Sequence, residues 1–315
     1  MDIHSHIRKL RPALKSNSAK TYANGINTLH RKINPDTELT DLSFLSKNVE
    51  KVLSVIETYK PTTRKNMLNA VIVSMDEGVP QAVVKRYEKL RDKYNKQYED
   101  EQEENNKNRK QSQNWVEWPK FQKMVEYFGK EVRRLKLRRR DSLSDEELRL
   151  LGDYVLMRVY EDLPMRNDVH DMRVTTEADY KKNGDKKFNY LLRSRNNYTI
   201  VLNNYKTAKA YGEKRIQVEG RLATLLRDYL KLQTSGWLFV NEKTGKPQDS
   251  LSITKRIQRI TKDRLGKNAG SNMLRHSYLS HKYGENLKDM KKDSHIMGHS
   301  LKTQKSYIKI SDDSP

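Results

Sequence analysis

A strongly polar tract near residue 100 divides this chain of 315 residues into two segments of different character. Residues 99–104 include five acidic residues, and residues 105–113 are Asn, Lys, Arg, Gln and Ser only. Such a run offers no apolar side chain to a hydrophobic core, which is typical of a linker. The sequence therefore predicts two domains, residues 1–98 and 115–315, joined by a polar linker over residues 99–114.

The first segment has the periodicity of a helical domain. Apolar residues such as Leu29, Ile33, Leu45 and Val52 recur at helical spacing. Pro61 is favourable in a first helical turn, which predicts that a helix begins close to it. The pattern predicts helices throughout residues 15–98, with a break at residues 78–80.

The second segment mixes helical and strand patterns. Ser144 and Glu147 form a capping-box sequence ahead of an apolar helical pattern. Short, partly alternating runs separated by turn residues predict strands at 172–175, 188–192, 198–202 and 215–218. Helical patterns follow at 221–232, 252–265, 272–283 and 287–296. The predicted fold class is mainly α with a small antiparallel β-sheet, that is, α+β.

The charge of the chain points to a polyanionic partner. It contains 63 Lys and Arg against 41 Asp and Glu, a net charge of +22. Proteins of this kind usually bind nucleic acid, because each neutralised phosphate releases counterions. Residues 130–140 hold seven basic residues, and the predicted helix at 252–265 has a basic and an apolar side. We predict that Lys255, Arg256 and Arg259 on that helix contact DNA.

Several classes of protein are disfavoured. The chain has no cysteine, which excludes disulfides and thiolate zinc sites. His295 and His299 have a metal-ligand spacing but no third ligand nearby, and no phosphate-binding loop is present, so neither metal nor cofactor is predicted. No apolar run is long enough for a membrane span, and residues 1–17 lack a signal-peptide core. We expect an intracellular protein of the cytoplasm or nucleus, neither secreted nor bound to a membrane.

A basic protein without a metal site can still cleave DNA by covalent catalysis. That chemistry needs a nucleophile, cations on the phosphate and a general acid for the leaving oxygen. Candidates occur in the second segment in the order Arg166, Lys206, Arg275, His299 and Tyr307. Each alone is compatible with a surface or packing role, so their significance lies in their order.

That order resembles the tyrosine recombinase, or phage integrase, family. Residues 274–277, Leu-Arg-His-Ser, and 297–300, Met-Gly-His-Ser, match two short motifs of the family, and Tyr307 falls where its nucleophile is expected. The resemblance covers most of the predicted catalytic domain, and the helices before residue 80 are similar to the family's DNA-binding core-binding domain. It implies that Tyr307 forms a 3′-phosphotyrosine, that Arg166, Arg275 and His299 bind the phosphate, and that Lys206 protonates the leaving oxygen.

Two positions depart from the family pattern. Asn272 stands where the family usually has His, and an amide cannot exchange protons near neutral pH. Val169 stands where a Glu is usual, which leaves Asp168 or Asp171 as the orienting carboxylate. A small shift of the hairpin turn would exchange Lys206 for Lys209, so Lys209 is the alternative general acid.

The resemblance implies a site-specific recombinase or integrase that acts on double-stranded DNA as a homotetramer on two DNA sites, without a cofactor. The abundance of Asn and Lys resembles recombinases of viruses and mobile elements, which would place it inside a host cell. Two alternatives stay open. One is a type IB topoisomerase, which uses similar chemistry as a monomer. The other is a DNA-binding protein that has lost catalysis, with Asn272 as the first sign of decay.

Overall fold

The computed structural model describes residues 1–195, 197–241 and 244–308. The chain divides into two compact units, residues 1–107 and 108–315. Each has its own hydrophobic core. Within the described ranges, no helix combines the length and the apolar character that crossing a membrane requires.

The first unit is entirely helical in its regular structure. Its helices are α1 (Ile3–Leu10), α2 (Ser16–Ile33), α3 (Phe44–Lys47), α4 (Val49–Glu57), α5 (Pro61–Ser74) and α6 (Gln81–Glu104). The apolar positions of the sequence pattern form its core: Ile26, Leu29, Val52 and Leu68 are fully buried. Pro61 occupies the first turn of α5, where its missing N–H leaves no hydrogen bond unmade.

The segment predicted as a linker contains helical structure. Helix α6 continues to Glu104 and ends where Asn105 adopts a left-handed conformation, φ 59°. Helix α7 (Arg109–Asn114) then begins with a capping box in which the side chains and backbones of Asn108 and Gln111 exchange hydrogen bonds. The division between the units falls between these two helices. The polar composition of this tract is that of solvent-exposed helix ends.

The second unit combines a small sheet with helices. The helices after α7 are α8 (Trp118–Arg134), a 3₁₀ turn (Leu137–Arg139), α9 (Asp145–Asp162), α10 (Glu177–Asn183), α11 (Ala208–Tyr211), α12 (Gly220–Leu232), α13 (Ser250–Leu265), α14 (Ser271–Ile296) and α15 (Leu301–Tyr307). The capping box predicted at Ser144 and Glu147 is present at the start of α9. The α+β class predicted from the sequence is confirmed.

The sheet has one parallel pair, which the sequence patterns did not predict. Its strands lie in chain order: β1 (Arg173–Thr176), β2 (Tyr190–Arg193), β3 (Tyr198–Leu202) and β4 (Lys214–Val218). The pairs β2–β3 and β3–β4 are antiparallel, but β1 and β2 are parallel. Helix α10 lies between β1 and β2 and lets the chain return in the same direction, as a parallel pair requires. The sheet is therefore mixed rather than antiparallel.

Helix α14 corrects a second prediction. The sequence suggested two helices, 272–283 and 287–296, but α14 is continuous over 26 residues. Gly284 lies in its interior, where a glycine weakens a helix without necessarily ending it. The helix ends instead before Gly298, whose φ of 69° suits a residue without a Cβ.

A buried ion pair connects α9 and α13. Asp153 Oδ1 accepts a hydrogen bond from Arg256 Nε at 2.7 Å, and both side chains are only 7% exposed. Asp153 Oδ2 accepts from Arg259 Nη2 at 2.6 Å. The prediction that Arg256 contacts DNA is therefore wrong. Arg256 lies three residues after Ile253, on the same face of α13 as the buried isoleucines, and its guanidinium is used inside the fold.

Removing one partner of this pair should destabilise the second unit strongly. Asp153→Ala leaves the buried Arg256 guanidinium without its carboxylate, and we expect the free energy of unfolding to fall by about 3–5 kcal/mol. Asp263→Ala is the matched control, because that exposed carboxylate lies 3.9 Å from Arg259. It should cost roughly 0.5 kcal/mol or less. If urea unfolding shows that the two variants lose the same free energy of unfolding, the pair of Asp153 and Arg256 does not behave as a buried ion pair.

Candidate active site

The turn that carries Arg166 follows α9 and is anchored by buried polar groups. The hydroxyl of the fully buried Tyr160 lies 3.1 Å from both the Arg166 carbonyl and Asn167 Oδ1. Asn167 Nδ2 donates to the Ser250 carbonyl at 3.0 Å and to Thr254 Oγ1 at 2.5 Å. The backbone of this turn is thus fixed against the first turn of α13, while the Arg166 side chain is exposed.

Arg275 approaches this turn from α14. Leu274 is fully buried and fastens the helix to the core, whereas Arg275 is half-buried beside it. The pKa of the Arg275 guanidinium is lowered, first by desolvation and then by the positive charge of Arg166, while Asp168 opposes the shift. Arg166 and Arg275, more than a hundred residues apart in the chain, therefore lie close enough to repel each other.

Asp168 lies within the field of both arginines. Burial raises the pKa of its carboxyl, and the charges of Arg166, His170, Arg275 and Lys214 lower it by less. Asp171, the other predicted carboxylate, forms no ion pair with either arginine among the described residues. It is 39% exposed, and its carboxylate lies 4.0 Å from His170 Nε2. Of the two predicted orienting carboxylates, Asp168 is the one placed beside the arginines.

Asn272 contacts Arg275. It is exposed in the first turn of α14, one turn before Arg275. Its Oδ1 accepts a hydrogen bond from Arg275 Nη1 at 3.4 Å. The residue that departs from the family pattern is therefore in contact with a predicted phosphate-binding arginine.

The two candidate lysines lie in the connection between β3 and β4. Lys206 is exposed and directly follows Tyr205, which is buried and donates from its hydroxyl to the Gly212 carbonyl at 2.7 Å. Lys209 is exposed on α11. Lys206 is thus held by its buried neighbour, and Lys209 lies one helical turn away.

The Met-Gly-His-Ser motif forms the corner between α14 and α15. Gly298 ends α14, and the side chain of Ser300 caps α15 by accepting from Thr303 N at 3.2 Å. His299 lies between them, and its ring centroid is 5.6 Å from that of Tyr307. Tyr307 is 67% exposed at the end of α15. Gly298 and Ser300 are therefore explained by the turn itself, since one ends a helix and the other caps the next. The same turn places the His299 imidazole beside Tyr307, the predicted nucleophile.

The predicted residues thus form two groups at opposite ends of α14, because the stretch of this helix from Arg275 to Ile296 spans about 30 Å at 1.5 Å per residue. Arg166, Asp168 and Arg275 make one, and His299 and Tyr307 make the other. Among the described residues, no hydrogen bond joins the Tyr307 hydroxyl to either arginine. The described part of the chain also contains no cluster of three or more His, Cys, Asp or Glu suited to a metal ion.

Of the residues predicted to contact DNA, Lys255 and Arg259 are exposed on α13, and Lys262 continues the same face. In the basic run 130–140, Arg138 pairs with Asp228 at 2.6 Å and Arg140 with Glu147 at 2.6 Å. Part of the positive charge there is consequently used within the fold.

Sequence reasoning missed Tyr160 and Asn189, which donate hydrogen bonds to backbone carbonyls of the Arg166 turn. Asn189 is buried, and its amide donates to the Asp168 carbonyl at 2.8 Å. Tyr160 occurs in an apolar helical pattern that predicts core packing but not a hydrogen bond. A single Asn before a strand gives no local signal, because its partners lie 14 to 21 residues away.

Comparison with known proteins gives structural neighbours only. No family model matches the chain, and no curated protein matches it significantly. The chain is similar to the crystal structure of the XerH site-specific recombinase bound to difH substrate in a pre-cleavage complex. The identity is 17% and the TM-score 0.49, over 96% of this chain and 80% of that one.

Two further solved structures are similar. The XerH post-cleavage complex with palindromic difH substrate shares 17% identity over 94% of this chain and 77% of that one, with a TM-score of 0.47. The XerA recombinase shares 14% identity over 99% of this chain and 95% of that one, with a TM-score of 0.35.

The raised pKa of Asp168 predicts a pH-dependent stability. The folded protein favours the protonated form of Asp168. This residue therefore stabilises the fold most below the ordinary aspartate pKa of about 3.9, and the stabilisation is lost as the pH rises through the raised pKa of the folded state. Asp168→Asn should therefore increase the melting temperature near pH 7, and the increase should shrink towards pH 4.

Asp171→Asn is the control for this measurement. Asp171 has a φ of 47°, which Asn tolerates, and its carboxylate is more exposed. It should not raise the melting temperature near pH 7. If Asp168→Asn is instead less stable than the wild type at neutral pH and equal to it at pH 4, the attraction of the arginines outweighs burial.

Proposed function

We propose that this protein is a site-specific DNA recombinase that cuts and rejoins strands through a 3′-phosphotyrosine. The observation that carries the proposal is the convergence of Arg166 and Arg275 on Asp168. His299 and Tyr307 meet at the other end of α14, and the proposed reaction requires them to approach this pair. Two guanidinium groups held together against their mutual repulsion suit an anionic group with several oxygens, as a phosphodiester is.

In the proposed reaction Tyr307, which is exposed, gives its phenol proton to water, and its oxygen attacks the phosphorus atom. The bond from phosphorus to the 5′ oxygen breaks, and a bond from phosphorus to the tyrosine oxygen replaces it. Arg166 and Arg275 bind the non-bridging oxygens and stabilise the added charge of the transition state, and His299 donates a further hydrogen bond. Lys206 gives its proton to the departing 5′ oxygen, which leaves as a hydroxyl. A 5′-hydroxyl from a second strand reverses these steps, so the sequence needs neither ATP nor a cofactor.

Double-stranded DNA is the proposed partner, and the charge of +22 supports it. Lys255, Arg259 and Lys262 lie at helical spacing on the exposed side of α13. Arg259 donates to Asp153 but keeps about half of its side chain exposed, so the three residues would contact phosphates as one row. Exchange of strands between two sites requires four active centres, and we propose a homotetramer on two DNA sites as the active assembly.

Substitution of the nucleophile tests the proposal. Tyr307→Phe removes one exposed oxygen, so folding and DNA binding should be unchanged while the covalent protein–DNA adduct is abolished. The adduct is detected on denaturing gels after incubation with DNA from the termini of the genetic element that encodes the protein. Tyr283→Phe is the matched control, because Tyr283 is also exposed but lies on α14. This variant should retain full adduct formation.

An adduct that persists in Tyr307→Phe would refute the assignment of the nucleophile. No adduct with the wild-type protein, together with tight DNA binding, would favour a DNA-binding protein without catalysis. Relaxation of supercoiled DNA by a monomer, without exchange between two labelled duplexes, would indicate a topoisomerase.

The role of Lys206 predicts a dependence on the leaving atom. Lys206→Ala should slow cleavage of ordinary DNA by roughly 10²- to 10⁴-fold. It should cleave DNA with sulfur in place of the 5′ oxygen at nearly the wild-type rate, because sulfur leaves without a proton. Lys209→Ala should cleave both substrates normally; a defect restricted to the oxygen substrate in that variant would assign the proton to Lys209.

A further inference from the structure

We infer that Asn189 is a positioning residue that sets the place of Lys206 relative to the Arg166 turn. The inference rests on the proposed function for the chemistry, and on the hydrogen bonds of Asn189 for the geometry. Asn189 touches no surface that a DNA strand could reach, since it is only 3% exposed. Any effect on the reaction must therefore pass through the groups that it holds.

The backbone of Asn189 is itself fixed in the sheet. The residue directly precedes β2, and its carbonyl accepts a hydrogen bond from Arg173 N of β1 at 2.9 Å. Its side chain therefore projects from a rigid element rather than from a loop. A rigid origin is what a positioning group requires.

The amide of Asn189 makes four hydrogen bonds, and they join two separate segments. Its Oδ1 accepts from Asn203 N at 2.9 Å and from Asn204 N at 2.8 Å. Its Nδ2 donates to the Asn204 carbonyl at 3.0 Å and to the Asp168 carbonyl at 2.8 Å. These bonds use both donors and both acceptor positions of the amide, so the orientation of the side chain is fully determined.

Both segments lead directly to predicted catalytic residues. Asn204 is two residues before Lys206, with the buried Tyr205 between them. Asp168 is two residues after Arg166. One amide thus links the backbone next to the proposed general acid to the backbone next to a proposed phosphate-binding arginine.

No other side chain reproduces this connection. Ala would leave the backbone N–H groups of Asn203 and Asn204 without this acceptor, and Asp would keep the acceptor but lose both donors. Without the link, the start of the β3–β4 connection can move relative to the Arg166 turn. A displacement of about 1 Å at a reacting group can cost 10²-fold in rate, so a proton donor is sensitive to such movement.

The test compares Asn189→Ala on the oxygen and sulfur substrates. We expect cleavage of ordinary DNA to fall by roughly 10²-fold, and cleavage of the sulfur substrate to stay within about 3-fold of wild type. The double variant Asn189→Ala, Lys206→Ala should be no slower than Lys206→Ala alone, because both substitutions remove the same proton transfer.

Gln233→Ala provides the matched control. Gln233 is a second buried amide of the same unit, and it bonds to the Trp237 carbonyl and to Ser235 N away from the arginine turn. Any loss of rate in that variant should be equal on the two substrates, as a general loss of stability would be. If Asn189→Ala does not fold, Asn189→Asp replaces it, and the same contrast between substrates is expected.

Equal defects of Asn189→Ala on both substrates, or additive defects in the double variant, would overturn the inference. Hydrogen exchange of the Asn203 and Asn204 amides gives a result that does not depend on activity. Both amides should exchange faster in Asn189→Ala and at the wild-type rate in Gln233→Ala; unchanged rates would overturn the proposed link. If the wild-type protein forms no adduct, the proposed function fails, and the exchange rates alone decide whether Asn189 joins the two segments.

Discussion

The repulsion between Arg166 and Arg275 is the constraint that the rest of the site must satisfy. Like charges stay apart unless the fold holds them, and Arg275 is partly desolvated as well. Asp168 is the carboxylate placed beside both arginines, and burial raises the pKa of its carboxyl. The free energy for holding these groups together must come from packing elsewhere, such as the burial of Leu274 and Tyr160. A bound anion would relieve the repulsion between the two arginines, so the site is stabilised most when an anion occupies it.

The sequence was informative wherever a structure depends on near neighbours. The capping box at Ser144, the start of α5 at Pro61 and the corner at Gly298 each follow from chemistry within a few residues. The four strands were predicted within two residues of their ends for the same reason. The order of the candidate residues also placed Arg166 and Arg275 in one site, although only the resemblance to a family indicated that they meet.

The predictions that failed depend on partners far away in the chain. The direction of β1 relative to β2 is decided by the connection through α10. Arg256 shows the same limit. Its spacing from Ile253 places it on the buried face of α13, but the carboxylate that makes burial tolerable, Asp153, is more than a hundred residues away. Net charge alone could not separate such an arginine from one that faces DNA.

The identity of Asn272 makes the hydrogen bonds of the buried Asn189, next to the segment that carries Lys206, more important. Its Oδ1 accepts from Arg275, so its remaining Nδ2 can donate to a phosphate oxygen but cannot release a proton near neutral pH. In the proposed mechanism a histidine at that position could share the proton transfers, whereas an amide cannot. Protonation of the leaving oxygen then depends on the lysine of the β3–β4 connection. A site with one proton donor tolerates less movement of that donor than a site with two, and in our proposal the four hydrogen bonds of the Asn189 amide limit that movement.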